Sequence, residues 1–381
     1  MSSILDYRPS ANTSSRPSVF PMLMISGKKS VNNSERISWS PPYAWSTIIP
    51  SVRRQESIEG AIVGCAIGES IAGLSRSKRA RFVAKPTAFE PSRLVPSHGT
   101  EGMLVTVQSL LLSQAMSEIF VMHLKSRLGW YQLTQPIAYA KKLVGSLTGS
   151  NRFSAKLGDD PLARAVVLSV LTQGHHDGAL SWVQDSTQMS FSNRWVTQAS
   201  FLVATAAQVA QLQRTRYETK VCELLEDLKL ATGSKEIEQR LESLIQAKEQ
   251  GFSVLQASQL LGGNDRWQDH LVDNALLAIY TYVRYPTRIE DGLGELSQLC
   301  GSLSGVMSLY GALSTIHTSV SSVPAKWQER LALYPYSSAW IQQCVDRCVD
   351  WPHGPEDIQA TRCLPSHQLG QLIRNIRRGC L

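Results

Sequence analysis

"IEGAIVGCAIGESIAGL" occupies residues 58–74 and reads as a helix along its length. Gly60, Gly64, Gly68 and Ala72 recur every four positions, and residues so spaced lie above one another on one helical face. That face carries nothing larger than a methyl group, so a neighbouring helix can approach it closely. The same period continues outward. Met103, Val107 and Leu110 share a face, as do Ile237, Leu241, Leu244 and Ile245. "ASFLVATAAQVAQL" (199–212) is apolar nearly all round and is expected to be a central, buried helix; "LVDNALLAIYTYV" (271–283) and "GVMSLYGALSTI" (305–316) read similarly. Alternation of period two is absent over any useful length, and turn signals fall between helical runs. The fold expected is all-α, a multi-helix bundle of ten or more helices forming a single domain.

Composition narrows the function classes. The 381 residues are 43% hydrophobic and 18% charged, values of a globular chain with a large core. No run of eighteen uninterrupted apolar residues occurs, so no membrane span is expected. The net charge of +7 suits an anionic partner in principle. Its densest groups, "SRSKRAR" (75–81) and "RNIRRG" (374–379), lack interleaved aromatics for base stacking, and nucleic acid is not expected. Seven thinly spread cysteines do not form a secreted disulfide framework and point to the cytoplasm or another reducing compartment. Cys344 and Cys348, with His353 and Cys363 nearby, lack zinc-ligand spacing and read as ordinary helix neighbours.

Three segments are expected. Residues 1–55 form a flexible or extended N-terminal arm, rich in Ser and Pro, with only Asp6 and Glu35 as acids before residue 50. An acid-poor start of this kind also suits a transit peptide, which would place the protein in an organelle stroma. Residues 56–335 form the helical domain. Residues 336–381 add a C-terminal helical extension, ending in an amphipathic stretch of Leu369, Leu372, Ile373 and Ile376 with Arg374, Arg377 and Arg378 towards its end. Those arginines suit the negative end of a helix dipole or a docking tail.

"SHGTEGMLVTVQSLLLS" (97–113) reads as the mouth of a helix, with Ser97 or Thr100 as N-cap. Together with other segments, in order and spacing, it resembles the ADP-ribosylglycohydrolase family. "GAIVGCAIGESIAG" (60–73) is similar to that family's opening helix, with Glu69 where aspartate is usual. "SHGTE" stands where the family has [ST]-D-D-T-E. "GDDPLARAVVLSVL" (158–171) resembles G-N-G-x-x-M-R, matching at Gly158 and Arg164 and departing at Asp159, Asp160 and Ala163. "SFSNRWVTQASFLVATA" (190–206) resembles a T-H-x-D-P-R-A helix start, "CGSLSGVMSLYGALST" (300–315) the D-x-D-T loop and its helix, and "SVPAKW" (322–327) the following I-P-x-x-W. The likeness spans roughly residues 56–335.

The resemblance implies release of ADP-ribose from modified proteins by two cations, usually Mg2+, held between the two aspartate loops, with carboxylates assisting proton transfer. Here those loops offer Ser97, His98 and Gly99, and Ser302, Ser304 and Gly305. Magnesium wants anionic oxygen ligands. Crowding two dications together without compensating charge costs far more than the ~1.4 kcal/mol per tenfold affinity that ligand tuning recovers. The Mg2+ pair is therefore expected to be lost, with no metal and no catalytic residue. Glu69 and Glu101 remain near the site positions, and Ser97, Thr100, Asp159, Asp160, Arg164, Ser302, Ser304 and Gly305 are the candidate ligand-binding residues. His175, His176 and Asp177 offer zinc-type donors, but nothing in the sequence brings them to His98. Asp159 and Asp160 either repel a pyrophosphate or cap a helix starting near Pro161.

The leading expectation is a pseudoenzyme that binds a protein partner within a larger assembly. The alternatives are a divergent hydrolase releasing ADP-ribose and a metal-free regulator binding ADP-ribose or a nucleotide at helix amides.

Overall fold

A buried arginine marks where the bundle begins. In the computed structural model Arg53 donates from Nη2 to the Ile316 carbonyl (2.6 Å) and from Nε to the Gln211 carbonyl (3.3 Å). A cation is thereby set at the carbonyl-rich ends of two other helices, where a helix dipole favours it. The structure describes residues 39, 49–91, 93–95, 98–113, 116–133, 161–173, 179–191, 193–212, 221–261, 267–299, 303–331 and 338–349.

Those residues form α1 (Ser51–Ala72), α2 (Arg76–Ala84), α3 (His98–Leu112), α4 (Ser117–Leu133), α5 (Pro161–Thr172), α6 (Ala179–Gln188), α7 (Arg194–Leu212) and α8 (Leu224–Ala231). There follow α9 (Lys235–Glu249), α10 (Val254–Leu261), α11 (Trp267–Arg284), α12 (Ile289–Leu296), α13 (Ser304–Thr318), α14 (Ala325–Arg330) and α15 (Ser338–Val349). No strand occurs among the described residues, only isolated bridges at Trp39 with Thr232 and Leu94 with Leu331. The fold is all-α.

The small-residue stripe of α1 meets α13, and the two helices run antiparallel. A Cβ on Gly60 would lie 2.6 Å from the Thr315 carbonyl oxygen, one on Gly64 would lie 2.2 Å from that of Gly311, and one on Gly68 would lie 1.9 Å from that of Met307. Met307, Gly311 and Thr315 repeat the spacing of four, so the two backbones approach closely along two turns, with the Thr315 hydroxyl set between them against Gly64. Thr315 closes the seam, donating from Oγ1 to the Gly60 carbonyl (2.6 Å) as well as to Gly311 of its own helix (2.7 Å).

The apolar run 199–212 lies on α7, which is buried from Val196 to Leu212 and packs on α5, α11 and α13. Its start is fixed locally, because Asn193 Oδ1 accepts the Trp195 amide hydrogen (2.8 Å) as an N-cap does. The core continues beyond residue 335. Ile341, Cys344, Val345 and Cys348 of α15 are buried in it, and α15 packs on α1 and α3. Cys348 donates its thiol hydrogen to the Cys344 carbonyl (3.1 Å) within α15. Burial pushes the Cys344 thiol up to about 12 and that of Cys348 well above its ordinary value. Trp39 packs its ring on Phe201 with centroids 5.5 Å apart. His353, Cys363 and the arginine-rich end lie outside the described residues, as does the rest of the arm before residue 49.

Candidate functional site

The C-terminal end of α1 organises the site. Gly68 lies against Met307, one turn into α13. Glu69, the next residue, accepts hydrogen bonds from the Gly99 amide (2.7 Å, Oε1), the Thr100 amide (3.2 Å, Oε2) and the Thr100 hydroxyl (2.6 Å, Oε2). The starts of α3 and α13 therefore converge on one end of α1, as the two aspartate loops of the family resemblance require.

Glu69 is 4% exposed, and a buried carboxylate is costly unless its oxygens are satisfied. The first amides of α3 have no partner within their own helix, and the positive end of the helix dipole favours an anion there. Each group meets the other's need. The capping function expected of Ser97 or Thr100 is thus carried out in part by a side chain from another helix, with Thr100 acting as a donor to it. Gly99 makes the approach possible, since a Cβ there would lie 3.0 Å from Glu69 Oε1 and 3.4 Å from both Ala163 Cβ and Cys65 Sγ. Glu69 is one methylene longer than the aspartate usual at this position of the family, and Gly99 is shorter than the aspartate usual at its own. The longer acid reaches into the room left by the missing one.

Glu101, in the first turn of α3, is fully buried. His98 is half-exposed at the start of the same helix. Arg164, also fully buried, faces α6, donating from Nη2 to the Ser186 carbonyl (2.6 Å) and the Ser190 hydroxyl (3.2 Å), and from Nε to the Ser186 hydroxyl (3.0 Å). Burial pushes its guanidinium down to about 9, so it remains a cation at neutral pH, tying α5 to the end of α6. Ser304 and Gly305 begin α13 half-exposed, and a Cβ on Gly305 would lie 3.1 Å from Asn274 Nδ2 of α11. Ser97, Asp159, Asp160, Ser302, His175, His176 and Asp177 lie outside the described residues, although α5 does begin at Pro161.

Two neighbours of the site carried no sequence signal as such. Cys65 accepts from the Thr100 hydroxyl at 3.6 Å. Its place one turn before Glu69 is the only hint that it shares that face. Asn274 arrives from α11, and nothing in its own surroundings marks it.

As for metal, the donors present among the described residues do not suit a magnesium pair. His98 is nitrogenous, Gly99 and Gly305 have no side chain, Ser304 is neutral, and both oxygens of Glu69 are engaged by α3. No group of three or more His, Cys, Asp or Glu residues able to hold a metal ion occurs among the described residues.

An all-α bundle with two helix mouths meeting at the end of a glycine-striped first helix defines the class of the protein. Residues 50–356 match the family described as ADP-ribosylglycohydrolase. The match spans most of the chain, which therefore belongs to the ADP-ribosylglycohydrolase family. Its fold is also similar to a solved structure described as an "ADP-ribosylglycohydrolase-related protein complex", at 19% identity and a TM-score of 0.50, over 80% of this chain and 98% of that one. At that identity the likeness is one of fold. None of the curated proteins matches the chain.

Proposed function

We propose that the chain is a catalytically silent member of its family, serving as a binding or structural component of a larger assembly. The observation that carries this reading is the closed mouth of α3, where Glu69 takes the Gly99 and Thr100 amides that an incoming phosphate would need. A hydrolase of this family needs anionic oxygens turned towards a pair of cations; here Glu69 is turned onto the first amides of α3. The same contact weighs against a metal-free regulator binding a nucleotide at these amides, because the ligand would have to displace a buried carboxylate with three hydrogen bonds. The seven cysteines, two of them held as buried thiols on α15, suit a reducing compartment.

The test pairs binding with turnover. A ligand that binds only the folded state stabilises it by about 2.7 kcal/mol at a hundredfold excess over its Kd, which a melting curve detects. Mg2+ or Mn2+ is expected to leave Tm unchanged, and the protein is expected to release no ADP-ribose from an ADP-ribosylated substrate protein in the presence of either ion. Release above a blank, abolished by a chelator, overturns the proposal.

A further inference from the structure

A cavity lies beyond the end of α1. It encloses about 640 Å3 between α2 and the turn that follows it, in the size range of small-molecule sites. Lys78 and Arg81 line it from α2, three residues apart, Lys85 from the residue just past the end of that helix, and Arg93 from the turn. All four are exposed, and none has an acidic partner among the described residues. The one acid in the lining, Glu90, is paired with Lys326 of α14, which holds its carboxyl below the ordinary value. The floor is apolar, with Leu74, Phe89 and Pro91. Phe89 is held in place: its ring meets Phe82 edge-on at 5.2 Å, and its carbonyl accepts from Trp327 Nε1 at 3.0 Å.

We propose that this cavity binds a small polyphosphate carrying an aromatic ring, with nucleoside di- and triphosphates as the chemical class. Four like charges around one concavity repel one another, and a compact polyanion relieves that repulsion. An extended acidic peptide spreads its same-face charges about 7 Å apart, whereas a di- or triphosphate concentrates several within reach of all four cations. Phe89 supplies the apolar face for the ring. The basic character does not run on as a stripe suited to nucleic acid: Arg79 is tied to the Ala72 carbonyl at 2.7 Å and does not line the cavity. Sequence spacing concealed the site because Phe89 and Arg93 join the basic stretch 75–81 only through the turn after α2.

Calorimetry on the full chain at physiological salt, with ATP, inorganic tripolyphosphate and adenosine as probes, tests the proposal. ATP is expected to bind more tightly than tripolyphosphate, and adenosine alone to be silent. Lys78→Glu with Lys85→Glu, both on exposed positions, is expected to weaken ATP by about tenfold or more, with the melting temperature of the unliganded protein unchanged. Phe89→Leu is expected to weaken ATP and leave tripolyphosphate as it was. Arg93→Glu provides the same charge test from the turn if the double variant is poorly folded. No ATP binding by the unmodified protein, ATP binding indifferent to the charge reversals, or competition by single-stranded nucleic acid stronger than by tripolyphosphate each overturns the proposal. Because the mouth of α3 plays no part, the result is independent of the silent-member reading.

Discussion

At the mouth of α3, Gly99 and Glu69 constrain one another. The carboxylate reaches the α3 amides only because position 99 has no side chain, and the amides are satisfied only because the carboxylate is there. Returning an acid to position 99 would therefore not rebuild a metal loop. Gly99→Asp would bring a second buried carboxylate against Glu69 Oε1, and like charges at that range cannot both ionise cheaply. The variant is expected to lose about 2 kcal/mol or more at neutral pH. Adding Glu69→Gln to it is expected to cost less than the two single losses summed, a coupling that a double-mutant cycle in urea measures. Glu69→Gln alone turns acceptors into a partial donor facing three donors and is expected to cost about 2 kcal/mol. Strict additivity of the two substitutions would show that they do not meet. A third effect at this scale concerns the thiols. Burial keeps Cys344 and Cys348 protonated far above neutral pH, and the thiolate is the reactive form. Alkylation of the native protein at neutral pH, mapped by mass spectrometry, is expected to modify exposed Cys222 and spare Cys344 and Cys348.

At the scale of elements, the seam between α1 and α13 leaves no room for a larger side chain at Gly60, Gly64 or Gly68. Gly64→Val places a side chain where the Gly311 carbonyl oxygen already lies 2.2 Å from the would-be Cβ, and overpacking of a core costs about 1–3 kcal/mol when side chains alone must shift. Here backbone must shift, and a loss of about 3 kcal/mol or more in a urea titration is expected. Gly73 is the control: it ends α1 at φ −77°, and its Cβ would meet nothing nearer than 3.5 Å, so Gly73→Ala is expected to be tolerated. The stripe on α1 was legible because four-residue spacing is a property of one helix. Its partner was not, because Thr315 joins Gly60 across 255 residues and Gly311 looks unremarkable among its neighbours. The same division holds at the site. The departures at His98 and Gly99 were visible in the sequence, while the carboxylate that closes the mouth belongs to another helix and enters by a contact that no local pattern encodes. The helix start near Pro161 could be read from proline's preference for the first helical position; that α15 packs into the same core could not, because periodicity marks a helix and not what it packs on.

On the scale of the whole molecule, that last point has a measurable consequence. The family resemblance spans residues 56–335 with a helical extension after them, and α15 of that extension packs into the main core. Ile341, Cys344, Val345 and Cys348 are nearly or fully buried in the main core, and the side of α1 that they cover includes Arg54, which is itself buried and whose guanidinium burial pushes down. Full burial of an aliphatic side chain contributes about 1.5–3 kcal/mol, so two such residues with two apolar thiols are worth a large part of the roughly 5–15 kcal/mol that holds a domain folded. Removing them also bares the apolar surface of α1 and α3 beneath. A chain ended at residue 335 is expected to lose near-ultraviolet circular dichroism and to unfold at a much lower urea concentration or without a cooperative transition. A chain ended at residue 356, where the family match also ends, is expected to keep the midpoint of the full chain. Equal midpoints for the two truncations would mean that α15 is an appendage and that the core closes before it.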